Sequence, residues 1–291
     1  MKTNLLIGGL IFIAFCITNC ATKSEITISE SEEKKPATGE YALVWSDEFD
    51  YEGRPDSDNW TYEKNFVRNK ELQWYQSENA FCENGLLVIE GRRERVTNPY
   101  YDPSSNDWRI NREEATYTSA SVTTKNRHSW KYGRFEIKAR IKTQPGLWPA
   151  IWTLGLGHEW PSGGEIDIME FYRGDILANA AWAGKNRWQA VWDDSKKPVS
   201  SFDDPDWDDK FHVWRMDWTQ TFIKLYVDDE LLNTIELSKT INERGSVRNP
   251  FRETSQFLLL NLAIGGTNGG DPSNTTFPSR YEIDYVKVYQ K

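Results

Sequence analysis

From Leu43 onward the chain sets short apolar runs between turn residues, and the runs have the period of strands. Arg134-Phe135-Glu136-Ile137-Lys138-Ala139-Arg140-Ile141-Lys142 alternates polar and apolar side chains strictly, which predicts a half-buried strand. Tyr281 to Tyr289 repeats that alternation near the C-terminus, and Leu86 to Glu90 is a shorter run held between Asn84-Gly85 and Gly91. Phe222–Val227 and Leu231–Leu237 flank Asp228-Asp229-Glu230, the signature of a hairpin. No stretch keeps a helical period over any length. Many short strands with no alternation of strand and helix predict an all-β fold, an antiparallel two-sheet sandwich, with residues 41–291 as one domain.

The first forty residues follow a different pattern. Met1-Lys2 precedes an apolar run from Leu5 to Ile17, shorter than the roughly 18 residues a membrane span needs, which reads as the core of a signal peptide over residues 1–19. The run ends in Ile17-Thr18-Asn19-Cys20, which resembles the processing site of bacterial lipoproteins, where the cysteine becomes the acylated first residue. Residues 20–40 are rich in Ser, Glu and Lys and poor in large apolar side chains. Such a segment cannot offset its chain entropy by burial, so it is expected to be a tether. Together these features predict a cell-envelope protein held to a bacterial membrane through Cys20.

Charge and cysteine usage narrow the chemistry. The formal net charge is -9, so phosphate-backbone binding is disfavoured and nucleic acid is not an expected partner. A neutral polymer is compatible with that surface. Of the three cysteines only Cys82 falls within the predicted domain, which therefore has no internal disulfide; Cys82 is expected to be a buried thiol. The fourteen tryptophans exceed what a core of this size needs and suggest a stacking surface.

The most informative segment is Gly163-Gly164-Glu165-Ile166-Asp167-Ile168-Met169-Glu170-Phe171, with three acids in six residues. On a strand Glu165 and Asp167 share one face while Ile166 and Ile168 face the core. Glu170 has the wrong parity to join them. One extra residue near Ile168-Met169, a β-bulge, restores it, and bulges recur beside active sites for that purpose. Glu165 and Glu170 would then flank Asp167 as a carboxylate pair of the kind that cleaves glycosidic bonds. Repulsion among three like charges should hold one carboxyl protonated near neutrality, as a general acid requires.

This run, preceded by Gly146-Leu147-Trp148-Pro149-Ala150-Ile151-Trp152, resembles glycoside hydrolase family 16, in its laminarinase-like branch. Trp45-Ser46-Asp47-Glu48-Phe49, Tyr132-Gly133-Arg134-Phe135-Glu136, Phe211-His212-Val213-Trp214, Asn261-Leu262-Ala263-Ile264-Gly265-Gly266 and Ile283 to Tyr289 follow in the family's order, so the likeness covers Leu43 to Tyr289. The resemblance implies a β-jelly-roll with a cleft across its concave sheet and a retaining, endo-acting hydrolase. It also implies Glu165 as nucleophile, Glu170 as acid/base and Asp167 as their helper, with no cofactor in catalysis. Glu48 and Asp284 match positions that supply a structural calcium site in many relatives.

Sugar rings present C–H faces that stack on indoles. Trp148 and Trp152, four apart on a predicted strand, share a face and are candidates to line the cleft, the core being their alternative place. Trp182 is a further candidate, His158 is expected on the rim, and Asn261 is expected to bond either a substrate hydroxyl or backbone. The stretch from Arg173 to Asp209, with Trp188 and Trp192, departs from the laminarinase pattern and leaves specificity open. β-1,3-glucan leads, mixed-linkage β-glucan follows, and β-linked galactans remain. A transglycosylase and a non-catalytic carbohydrate-binding lipoprotein are the rival functions, and the protein is expected to act as a monomer.

Overall fold

The computed structural model describes residues 40–291. The signal segment, the tether and Cys20 lie outside the described residues. Two large antiparallel sheets carry the fold, a β-jelly-roll of the kind expected. In one, the strands run in the spatial order Glu230–Glu236, Phe222–Val227, His212–Trp218, Gly133–Arg140, Ser279–Gln290, Leu86–Gly91 and Ala80–Glu83, with Ala42–Asp47 also paired to Ser279–Gln290. In the other the order is Ala190–Asp193, Asp175–Ala183, Glu165–Tyr172, Leu147–Gly155, Gln256–Ile264, Ser121–Thr123 and Thr61–Glu63, with Lys196–Pro198 also on Asp175–Ala183. Phe222–Val227 and Glu230–Glu236 form the hairpin that the sequence predicts.

Alternation explains the layering. Phe135, Ile137 and Ala139 of the first sheet point inward with Trp214, Met216 and Trp218, while the intervening residues are half-buried or charged. Ile151, Ile166, Phe171, Ile176, Ala180, Leu258, Leu260 and Leu262 of the second sheet meet them in one core. Each buried Leu, Ile or Phe contributes about 1.5–3 kcal/mol relative to exposure, which is how a domain without a disulfide stands. Cys82 is a buried free thiol, as expected. The second sheet is buried on parts of both faces. Ala150, Trp152, Phe257 and Leu259 form a separate apolar cluster on its outer side, and there the cleft begins.

The N-terminal motif is a structural hub. Asp47 accepts hydrogen bonds from Trp60 Nε1 at 2.8 Å, Tyr51 Oη at 3.0 Å and the Phe49 amide at 3.0 Å. Its neighbour Glu48 pairs with Lys287 at 3.0 Å, and Asp284 pairs with Lys138 at 2.6 Å. Both residues expected at a structural calcium site are thus each paired with a lysine. No group of three or more His, Cys, Asp or Glu side chains able to hold a metal ion occurs among the described residues.

Candidate active site

The strand Glu165–Tyr172 lies between Leu147–Gly155 and Asp175–Ala183, and its register contains the extra residue that side-chain parity demands. Against Leu147–Gly155, Ala150 faces Glu170, Ile151 faces Met169 and Trp152 faces Asp167, so Ile168 is skipped. Against the other neighbour, Asp167 faces Asn179 and Glu170 faces Leu177. Three steps along the catalytic strand thus match two along its partner. Ile168 and Met169 are both buried in the core, which lets Glu165, Asp167 and Glu170 all turn to the opposite face.

Glycine sets where the strand begins. Gly164 has φ of 79°, and a Cβ there would lie 2.8 Å from Phe251 and 2.9 Å from Pro250. A Cβ on Gly155 would fall 2.0 Å from the Gly163 carbonyl oxygen. These close approaches fold residues 156–164 back over the sheet and bring Trp160 above Glu165.

A cleft of about 670 Å³ opens over these residues, lined by Arg68, Glu71, Trp148, Trp152, Trp160, Glu165, Glu170, Asn179, Trp192 and Asn261 among others. Trp148 Nε1 donates to Glu170 Oε1 at 2.9 Å, and Asn179 Nδ2 reaches Glu170 Oε2 at 3.4 Å. Trp160 Nε1 donates to Glu165 Oε2 at 2.6 Å. Asp167 is 1% exposed between the two glutamates, and its Oδ2 has no donor near it.

Burial raises the proton affinity of all three acids, most of all Asp167, which also faces the charges of Glu170 and Glu165. A protonated Asp167 resolves its orphaned oxygen by donating to Glu165, an interaction that raises Asp167 and lowers Glu165. Glu165 is still raised by burial, against the opposing pull of the Trp160 and Asp167 hydrogen bonds and the Arg68 charge. Glu170 is pushed up to about 7, chiefly by burial and further by Glu165 and Glu71, against its bonds from Trp148 and Asn179. All three acids thus hold protons more tightly than free carboxyls, and the hydrogen bonds from Trp160 and Asp167 offset part of that rise at Glu165.

The aromatic candidates divide. Trp148 stands in the cleft with Tyr172 packed edge-on at 5.4 Å between centroids. Trp152 also lines the cleft, but the Arg68 guanidinium covers its ring at 4.9 Å and its Nε1 donates to Asn261 Oδ1 at 2.7 Å. Trp182 does not reach the cleft: it faces the core, because Ala181 is the residue opposite Glu165 and Trp182 therefore has the other parity. Asn261 lines the cleft and is held by protein side chains, donating to Tyr75 Oη at 3.0 Å as well as accepting from Trp152. His158 is exposed on the rim of a second, smaller depression that shares Leu154 and Trp160 with the first. The segment Gly157-His158-Glu159-Trp160, expected on the rim, does bring Trp160 into the cleft, whereas Arg68, Glu71 and Asn179 escape sequence reasoning.

Two glutamates in unlike hydrogen-bonding environments, on one face of a tryptophan-walled cleft, are the apparatus of a glycoside hydrolase. The model of glycosyl hydrolases family 16 matches residues 68–287, and the chain belongs to that family. A beta-glucanase of Rhodothermus marinus is 33% identical over 315 aligned residues, covering 100% of this chain and 97% of that one. The laminarinase catalytic domain of Thermotoga petrophila, an endo-1,3-beta-glucanase, superposes with a TM-score of 0.72 at 33% identity over 87% of this chain and 98% of its own. A structure from work on endo-acting O-glycanases that initiate mucin breakdown in the human gut microbiota gives a TM-score of 0.78 at 34% identity, over 87% and 92%.

Proposed function

We propose that the protein is a retaining, endo-acting hydrolase of β-linked polysaccharide, with laminarin-type β-1,3-glucan as its substrate and mixed-linkage β-glucan next. The observation that carries this reading is the pair of glutamates on one face of the cleft, Glu165 accepting from Trp160 and Glu170 accepting from Trp148, with burial pushing Glu170 up to about 7 so that it is poised to carry a proton. The Glu165 carboxylate attacks the anomeric carbon while Glu170 gives its proton to the departing glycosidic oxygen, leaving a glycosyl ester on Glu165. Glu170, now a carboxylate, takes a proton from water as the water oxygen displaces Glu165, and the anomeric configuration is retained. Asp167 keeps its proton throughout and hydrogen-bonds Glu165. Trp148 and Trp160 hold the two carboxyl groups in place. No cofactor enters these steps.

The likeness to the Thermotoga and Rhodothermus glucanases supports the glucan assignment. A second reading, an endo-hydrolase of mucin-type O-glycans, is favoured by the O-glycanase structure. Incubating the protein with laminarin, lichenan, a β-galactan and mucin-type O-glycans and sizing the products decides between them. The lead reading requires a ladder of short β-1,3 oligosaccharides from laminarin. Intact laminarin with shortened O-glycans selects the second, and oligosaccharides longer than the donor at high acceptor concentration select transglycosylation.

We further propose that the mature protein is a monomeric lipoprotein anchored through Cys20 in the cell envelope, a reading supported by the sequence around residues 1–20. Two acyl chains each add about 0.8 kcal/mol per buried methylene, enough for stable anchoring. Cys20→Ala is expected to move the protein from the detergent-soluble membrane fraction to the aqueous one. Retention of that variant in the membrane would refute the anchor.

A further inference from the structure

All fourteen tryptophans lie among the described residues, and only Trp188 at 55% and Trp192 at 44% are exposed. Both belong to one hairpin, at the edge of the sheet that carries the glutamates. The register there is continuous: Leu154 faces Glu165, Glu165 faces Ala181, and Ala181 faces Trp192. Trp192 is therefore on the same face as Glu165, two strands away, about 10 Å at the usual strand spacing. It lines the cleft, so the cleft runs across the strands toward this edge.

Trp188 sits beyond it at the hairpin tip and outside the cleft lining. Its φ is 65°, a left-handed conformation that a bulky side chain rarely adopts. The tip is held rigidly: Gly184 N donates to Gln189 O at 2.9 Å, and the Asn186 amide and side chain both donate to Gln189 Oε1, at 3.1 and 3.0 Å. Arg187 lies over the Trp188 ring at 4.8 Å and pairs with Glu159 at 2.5 Å, the residue next to Trp160. One short path thus ties the hairpin tip to the loop that contacts Glu165. A left-handed tryptophan that is more than half exposed is costly to the fold and is not part of the buried core; such strain is concentrated where a residue serves a ligand.

We propose that Trp188 and Trp192 form a distal sugar platform that continues the cleft over the sheet edge and binds pyranose rings of the substrate remote from the scissile bond. The occupant is a neutral β-linked glycan, because the indoles offer flat apolar faces to sugar C–H groups and their continuity with the cleft fixes the path of the chain. This rests on the glycan-cleaving reading above. Binding energy gathered here is realised only by chains long enough to span both regions, so the platform sets the preferred substrate length.

The test is a ladder of oligosaccharides of increasing length, drawn from whichever polymer the parent cleaves, with kcat/KM measured at each length. In the parent, kcat/KM should climb with length to a plateau. Trp188→Ala and Trp188→Gly should remove the last rise, lowering kcat/KM on the longest members about tenfold relative to the shortest, with Trp188→Phe restoring part of it. The glycine variant should melt no lower than the parent, since it relieves the left-handed strain. Equal losses at every length, or an unchanged ladder, would overturn the platform. A parent inactive on every polymer would instead sink the hydrolase reading, and that outcome is visible before any variant is made.

Discussion

Glu165→Gln is expected to lower kcat on the polymer by about 10⁴-fold or more, since removal of a nucleophile that works as a unit with its partners costs that order. The amide keeps the shape of the carboxylate, so the Trp160 bond and the cleft wall survive. The protein should fold, melt near or above the parent, and bind oligosaccharide with parent-like affinity by calorimetry, because a half-buried charge is replaced by a neutral group. Binding retained with turnover abolished separates chemistry from recognition. A variant with a tenth of the parent's turnover would remove Glu165 from the reaction.

Glu170→Gln should cost less, about 10²–10⁴-fold on natural substrates, the usual contribution of general acid catalysis. Its effect should depend on the leaving group. A dinitrophenyl glycoside departs without a proton, so formation of the glycosyl-enzyme should be nearly unimpaired with that substrate. The pH profile carries the same information. Glu170 must be protonated to act as an acid, and its raised affinity of about 7 means that kcat/KM in the parent falls above that pH, tenfold per unit. The acid side falls where Glu165 gains a proton. Glu170→Gln should erase the alkaline fall while leaving the acid one. Equal losses for both leaving groups, with the alkaline fall intact, would give the acid role to another residue.

How far the sequence disclosed this site follows from which interactions are local. The bulge was legible because parity along one strand is arithmetic: Glu165 and Glu170 share a face only if one residue between them is extra, and Ile168 is that residue. Trp148 and Trp152 followed from the same counting. Trp182 failed because its parity depends on how Asp175–Ala183 pairs with the catalytic strand, and no local pattern fixes that register. Arg68 and Glu71 lie about a hundred residues upstream of the glutamates, and only the closure of the sandwich brings them into the cleft. The lysines that occupy Glu48 and Asp284 were likewise hidden until register placed Tyr285 opposite Lys138. Trp188 and Trp192 were visible as residues, and their exposure was not.

Catalysis as proposed depends on Glu165 forming a bond to sugar while Glu170 supplies and recovers the proton. A 2-deoxy-2-fluoro glycoside with a dinitrophenolate leaving group slows release of the glycosyl-enzyme, allowing its peptide to be mapped by mass spectrometry. The glycosyl mass should appear on Glu165 within the peptide containing residues 163–171, with the parent's first product carrying the same anomeric configuration as the substrate by NMR. Label on any other residue, or a first product of inverted configuration, would contradict it.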